Sequence, residues 1–328
     1  GDAGRALAEA GEGKRQMSKP TLYPLTFAPI YKEKIWGGRK LAQLFDRDLP
    51  EGQIGESWDV AAHPNGMSVV DQGELKGRTL QELVEMYGSE LGVVGKKFPL
   101  LLKFIDAADD LSVQVHPDDA YAAAHEGDEL GKTEMWYIVH SEPGGRIIWG
   151  VKEGVTRDQF AQALQAGGQA VLDCLNQVEV KPGDIFPISA GLIHALGKGV
   201  VVAEIQQNSD TTYRVYDWDR VDETGKGREL HIDKALDVTD FSPEARSFDY
   251  QYERCAQYFQ MEVLEGPEEE SFEHDGRFHL LTPVTAPAVV KWDGGELELR
   301  KGQACLIPAS LKLYSVSSSG VVLLNYLP

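Results

Sequence analysis

Apolar positions along this chain fall mostly in short runs broken by Gly and Pro. Residues 23–58 alternate such pieces with turn residues and read as strands and loops. A helix should follow. Thr79 and Glu82 form a capping box, and Leu80, Leu83, Val84, Tyr87 and Leu91 recur at helical spacing. FPLLLKFIDA is a continuous apolar run between turn signals, as in a buried strand, and LSVQVHP alternates with period two. A short helix is expected around residues 118–125, just after Pro117, and MWYIVHSE is β-rich. Thr156 and Gln159 open another capped helix, with Phe160, Ala163 and Leu164 on one face and Gly167–Gly168 at its end.

From Val178 the pattern is almost all β: VEVKPGDIFPIS, LIHAL, VVAEIQQ and TTYRVYDW, with residues 222–227 as an exposed loop. Beyond Phe241, SPEARSFDYQYERC reads as a linker. It leads to further strands: FQMEVLE, FHLLTP, AVVKWD, ELELRKG, ACLIP, KLYSVS and VVLLNY. The acidic GPEEESFEHDG between two of them reads as a solvated hairpin loop. Many short strands with few helices predict a sandwich or barrel. One repeat supports two related β units. VEVKPGDIFPISAGLIHAL (178–196) aligns without gaps on LELRKGQACLIPASLKLYS (297–315), Gly183 falling 119 residues before Gly302. His194 then lies opposite Leu313, so a ligand at His194 is lost in the second unit.

Composition narrows the functional classes. With 32 Lys+Arg against 52 Asp+Glu in 328 residues, the net charge is −20. Such a body disfavours nucleic acid and anionic membrane surfaces, and an anionic substrate would need a locally basic site. No apolar run approaches a membrane span. Cys174, Cys255 and Cys305 are odd in number and form no CxxC pair, as for reduced thiols in a cytoplasmic protein. Residues 1–17 read as a leader or tag remnant outside the fold.

Among eight histidines, two have informative settings. Period two in SVQVHPDD puts Gln114 and His116 on one strand face. His194 sits in a tight turn after a strand, and Glu134 opens an apolar strand in GKTEMWY. Two histidines and a carboxylate are ligand types for Zn²⁺ or another divalent ion, with Gln114 as a weak fourth donor. AEIQQNSDTTYRVYDWDR is polar enough for either a solvated edge or a site lining in which Arg214 clamps an anion.

Taken in order, GESWDVAAHP, SVQVHPDD, GKTEMWY, GDIFPISAGLIHALG and EIQQNSDTTYRVYDWDR resemble the signatures of type I mannose-6-phosphate isomerases of the short bacterial class. The resemblance runs from about Leu22 to the C-terminus and is most specific in the last block. It implies a mainly β fold of two cupin-type, jelly-roll β-barrel units with a few inserted helices. Residues 18–240 would form the catalytic unit and residues 241–328 a degenerate, metal-free one. It implies one Zn²⁺ per chain on Gln114, His116, Glu134 and His194. Arg214, Lys132 and Glu204 would be catalytic: Arg214 for enediolate charge or sugar contact, Lys132 for charge or phosphate, Glu204 for proton transfer. The implied reaction interconverts mannose 6-phosphate and fructose 6-phosphate through an enediol, with a phosphosugar as partner and a monomer or weak homo-oligomer as the working form. One departure is Ser189-Ala190-Gly191, where the second cupin motif usually has Pro-Ala-Gly. Two other readings fit less well: a metal-dependent cupin oxygenase, which would present H-x-H where this chain has Gln114 and His116, and a non-catalytic sugar-phosphate binding protein.

Overall fold

The computed structural model describes residues 18–328; the expected leader, 1–17, lies outside them. Two pairs of antiparallel sheets carry the chain. In the first half, a six-stranded sheet runs in the order Ile185–Ile188, Glu134–Ser141, Val200–Gln207, Leu100–Ala107, Ile54–Val60, Ile30–Gly38. Against it packs a five-stranded sheet of order Leu175–Glu179, Arg146–Val151, His194–Leu196, Val113–Val115, Tyr213–Tyr216. Ile105, Trp136 and Ile138 from the first meet Ile147, Trp149 and Leu196 from the second in one core. The second half repeats the plan with Gln260–Glu265, His279–Pro283, Cys305–Ile307 and Val321–Tyr326 in one sheet and Glu270–Glu273, Ala288–Trp292, Gly295–Leu299 and Leu313–Ser318 in the other. All of these ladders stay open.

The 178–196 and 297–315 repeat is realised strand for strand. Leu175–Glu179, Ile185–Ile188 and His194–Leu196 correspond to Gly295–Leu299, Cys305–Ile307 and Leu313–Ser318, with equivalent sheet partners.

The six-stranded sheet is buried on both faces. Leu102, Phe104, Met135 and Ala203 point away from the facing sheet and join a core with Leu80, Leu83 and Val84 of the capped helix Leu80–Tyr87 and with Phe278, Leu280 and Leu323 of the second half. That two-sided burial explains why residues 100–107 read as unbroken apolar sequence rather than alternation. Leu25–Thr26 crosses over to pair with Cys305–Leu306, so the chain's N-terminal part completes a sheet of its C-terminal part.

Both capping boxes form, at Thr79 with Glu82 and Thr156 with Gln159. Asp118 caps the helix Asp119–His125. Two expectations need correction. The linker-like stretch holds a helix, Phe248–Cys255, capped by Ser247. Its Gln251 is fully buried and bonds the Ser189 backbone N–H and hydroxyl, each at 2.8 Å, which ties it to the sheet. Part of the acidic run is also not loop. Glu270–Glu273 pairs with the strand Leu313–Ser318, Glu270 opposite Val316, because alternation inside ESFE turns Phe272 onto the second core.

The two halves are also tied electrostatically. Arg47 pairs with Asp59 (Nη2–Oδ2 2.9 Å) and donates to Gly302 O at 2.7 Å across the junction. Removing one member of a buried pair typically costs about 3–5 kcal/mol. Arg47→Ala should therefore lower the denaturation midpoint strongly in an equilibrium unfolding titration. A midpoint matching the parent would show that this junction contributes nothing.

Candidate active site and metal centre

The facing sheets leave a cavity of about 100 Å³ between them. Two cross-strand rows form its opposite walls. On the six-stranded sheet, Lys103, Glu204 and Trp136 are neighbours in register, and Glu134 lies two residues before Trp136 on the same strand. On the five-stranded sheet, Gln114 stands between His194 and Arg214. Strand pairing thus brings together residues up to 100 positions apart, His194 and Arg214 with Gln114.

His116, Glu134 and His194 form a buried cluster whose ligand atoms all lie within 4.8 Å of one another. His194 Nε2 is 2.9 Å from Glu134 Oε1, and His116 Nε2 is 3.5 Å from Oε2. Each imidazole faces a backbone carbonyl through Nδ1: His116 toward Thr211 O at 3.0 Å, His194 toward Leu192 O at 2.8 Å. A carbonyl can only accept, so both Nδ1 atoms carry the proton and both Nε2 lone pairs point into the cluster. His116 Nε2 is buried without a hydrogen-bond partner. An orphaned nitrogen beside a carboxylate and a second imidazole fits a divalent cation, and this donor set leaves coordination positions open for substrate.

Charge agrees with that fit. Burial, then the Lys132 charge, push His116 down to about 3, so it stays neutral and able to coordinate. Despite its burial, the Glu134 carboxyl is held well below the usual range and stays ionised. Gln114 donates its amide to Ser112 O (3.1 Å) and Oγ (3.3 Å).

Lys132, Glu204 and Arg214 line the same cavity. Glu204 is buried. Its Oε1 accepts the Trp136 indole N–H at 2.8 Å, and its Oε2 lies 3.5 Å from Lys103 Nζ. Burial, then the Glu134 charge, push it up to about 8. Arg214 is half-buried and held by Ser112 Oγ (3.2 Å) and Glu229 O (3.0 Å). Burial, then the nearby Arg228 charge, lower its pKa.

The turn before His194 keeps its shape despite the missing proline. Gly191 has φ +91° and donates its N–H to His116 O at 3.0 Å, linking the turn to the first ligand strand. A Cβ there would meet Val238 O at 2.8 Å. Ser189 replaces the proline's rigidity with bonds to Gln251 and, at 3.0 Å, from Arg254.

Four residues that the sequence pattern does not single out, Lys34, Glu56, Lys103 and Arg228, also stand on the cavity wall. Lys103 is the most telling. Its side chain is 1% exposed, and its ammonium sits 3.0 Å from Glu56 and 3.5 Å from Glu204. Burial works against its charge, yet the two carboxylates hold its pKa above the ordinary value. The available signal is a lysine inside an otherwise apolar strand. With Lys34, Lys132, Arg214 and Arg228 it brings five cations to the cavity against Glu56, Glu134, Glu204 and Asp210, the local basicity that an acidic protein needs to take an anion.

A mainly β fold with a two-histidine, one-carboxylate centre in a cation-lined cavity defines a metal-centre protein suited to a small anionic ligand. Similarity to known proteins gives its family. Residues 25–138 match the family model for the catalytic domain of phosphomannose isomerase type I, and residues 250–327 match the cupin domain of mannose-6-phosphate isomerase. Over 219 residues the chain is 49% identical to mannose-6-phosphate isomerase ManA of Bacillus subtilis (strain 168), covering 66% of this chain and 68% of that one. A mannose-6-phosphate isomerase of Streptococcus mutans is 48% identical over 219 residues, 66% of this chain and 67% of the relative. The crystal structure of a Bacillus subtilis mannose 6-phosphate isomerase superposes with a TM-score of 0.82 at 33% identity, covering 92% of this chain and 99% of that one. The chain belongs to the type I mannose-6-phosphate isomerase family. Among the described residues no helix is long and apolar enough to cross a membrane.

Proposed function

We propose that this protein interconverts mannose 6-phosphate and fructose 6-phosphate. His116, Glu134 and His194 would hold one divalent ion per chain, which we assign as zinc, with Gln114 as a further donor. When bound, the ion supplies Lewis acidity toward the oxygens on C1 and C2 of the sugar.

The chain's own side chains do the rest. A proton must leave C2 of the open-chain aldose and return at C1 through an enediol. Glu204 is our proton-transfer group. Trp136 fixes one of its oxygens, and a pKa pushed up to about 8 lets it both release and accept a proton near neutrality. Arg214 balances the charge that grows on the enediolate oxygens, where a preorganised donor is most effective. Lys132 takes the phosphate dianion, with the other cavity cations setting the field. We read residues 18–240 as the catalytic unit and 241–328 as a supporting unit, each pair of sheets a jelly roll of the cupin kind.

What supports the reading is one coincidence: a buried ligand cluster opens on the same cavity as Lys132, Glu204 and Arg214, in a chain 49% identical to a relative named for this reaction. A coupled assay on purified protein tests it, with fructose 6-phosphate formed from mannose 6-phosphate read through glucose 6-phosphate oxidation. Saturable binding of mannose 6-phosphate without turnover would instead make this a sensor.

A further inference from the structure

One polar network beside the cavity has no part in the mechanism above. His63, buried in the hairpin of Ala62–His63 and Gly66–Met67, accepts the Asn65 backbone N–H at Nδ1 (3.0 Å). A backbone N–H can only donate, so the ring proton sits on Nε2. It points at Glu129 Oε1, 2.6 Å away. The other oxygen of Glu129 accepts the Asp210 backbone N–H at 3.1 Å, and Asn65 Nδ2 donates to the Asp210 carboxylate at 2.8 Å. The next carbonyl along the chain, Thr211 O, is the one that receives His116 Nδ1–H at 3.0 Å. Residues 208–212 lie between two strands and outside either ladder, so side-chain bonds of this kind fix where that carbonyl stands.

We propose that Glu129 and His63 are positioning residues for His116. They hold the backbone of Asp210 and Thr211, and through it the imidazole, in the orientation that binds the ion. The inference rests on reading His116 as a metal ligand. A ligand's outer partners typically change metal affinity about 10- to 100-fold.

Three variants separate this role from simple packing. In Glu129→Gln the side chain keeps its size but has one acceptor for two donors, so a link breaks. His63→Asn keeps an acceptor for Asn65 but cannot reach Glu129. His63→Gln places an amide N–H where Nε2 stood and restores the bond to Glu129. Zn²⁺ affinity, measured by competition with a chromogenic chelator, should fall about 10-fold or more in Glu129→Gln and His63→Asn and recover in His63→Gln. The thermal midpoint of the metal-free proteins should match the parent in all three. Parent-like affinity in Glu129→Gln and His63→Asn overturns the inference while leaving the metal centre intact. So does an affinity loss that tracks a fall in metal-free stability, or one that His63→Gln does not reverse. A parent protein that binds no Zn²⁺ would overturn the reading of the centre itself.

Discussion

Arg214→Ala should fold normally and lose activity about 100- to 1,000-fold, mostly in kcat, as expected for removal of a preorganised charge donor. Arg214 stands in register with Gln114, on the wall opposite Glu204. Its guanidinium is fastened by Ser112 Oγ and Glu229 O rather than by a carboxylate, so its charge remains available to a ligand. Burial and Arg228 make that charge costly in the free protein, and a growing negative charge would relieve the cost. Arg214→Lys should recover only part of the loss, since an ammonium cannot present two parallel donors. Steady-state kinetics on both variants check this. A rise in KM at parent kcat would move Arg214 from transition-state stabilisation to ground-state binding.

Lys103→Met carries the second large effect, and it is double. The ammonium is the shared partner of Glu56 and Glu204. Taking it away removes the buried partner of both and leaves Glu56 with Lys34 at 3.7 Å, with an expected loss of about 3–5 kcal/mol of stability. The pKa of Glu204 should climb further, because Lys103 is the first of the charges that now lower it. The pH profile of kcat should shift upward accordingly, with the sign set by a group that must lose its proton to act as a base. Denaturant titration reads the first effect and the pH profile the second. A parent-like midpoint and profile together would contradict the role given to this ion network.

Much of this arrangement is legible in the sequence, for specific reasons. Strand alternation puts Gln114 and His116 on one face, and the gapless repeat pairs the strands around His194 with those around Leu313; both depend on local sequence. The capping boxes are equally local. Grouping His116, Glu134 and His194 is not local, since they sit on different strands, and it comes from ordered motif resemblance. Lys103 escapes because an apolar run reads as pure core, whereas one face of that strand lines the cavity. The helix Phe248–Cys255 escapes because its anchor is Gln251, a polar residue whose fit depends on Ser189 62 positions away. The crossing of Leu25–Thr26 to the far sheet is a two-residue pairing, too short to leave a pattern.

Isomerisation should require a metal ion on His116, Glu134 and His194. The most direct test of that requirement is the mannose 6-phosphate assay on protein stripped by chelator and then titrated with Zn²⁺. Activity should fall at least about 100-fold on stripping and return in full at one equivalent of zinc per chain. Undiminished turnover by protein shown by elemental analysis to be metal-free would contradict it.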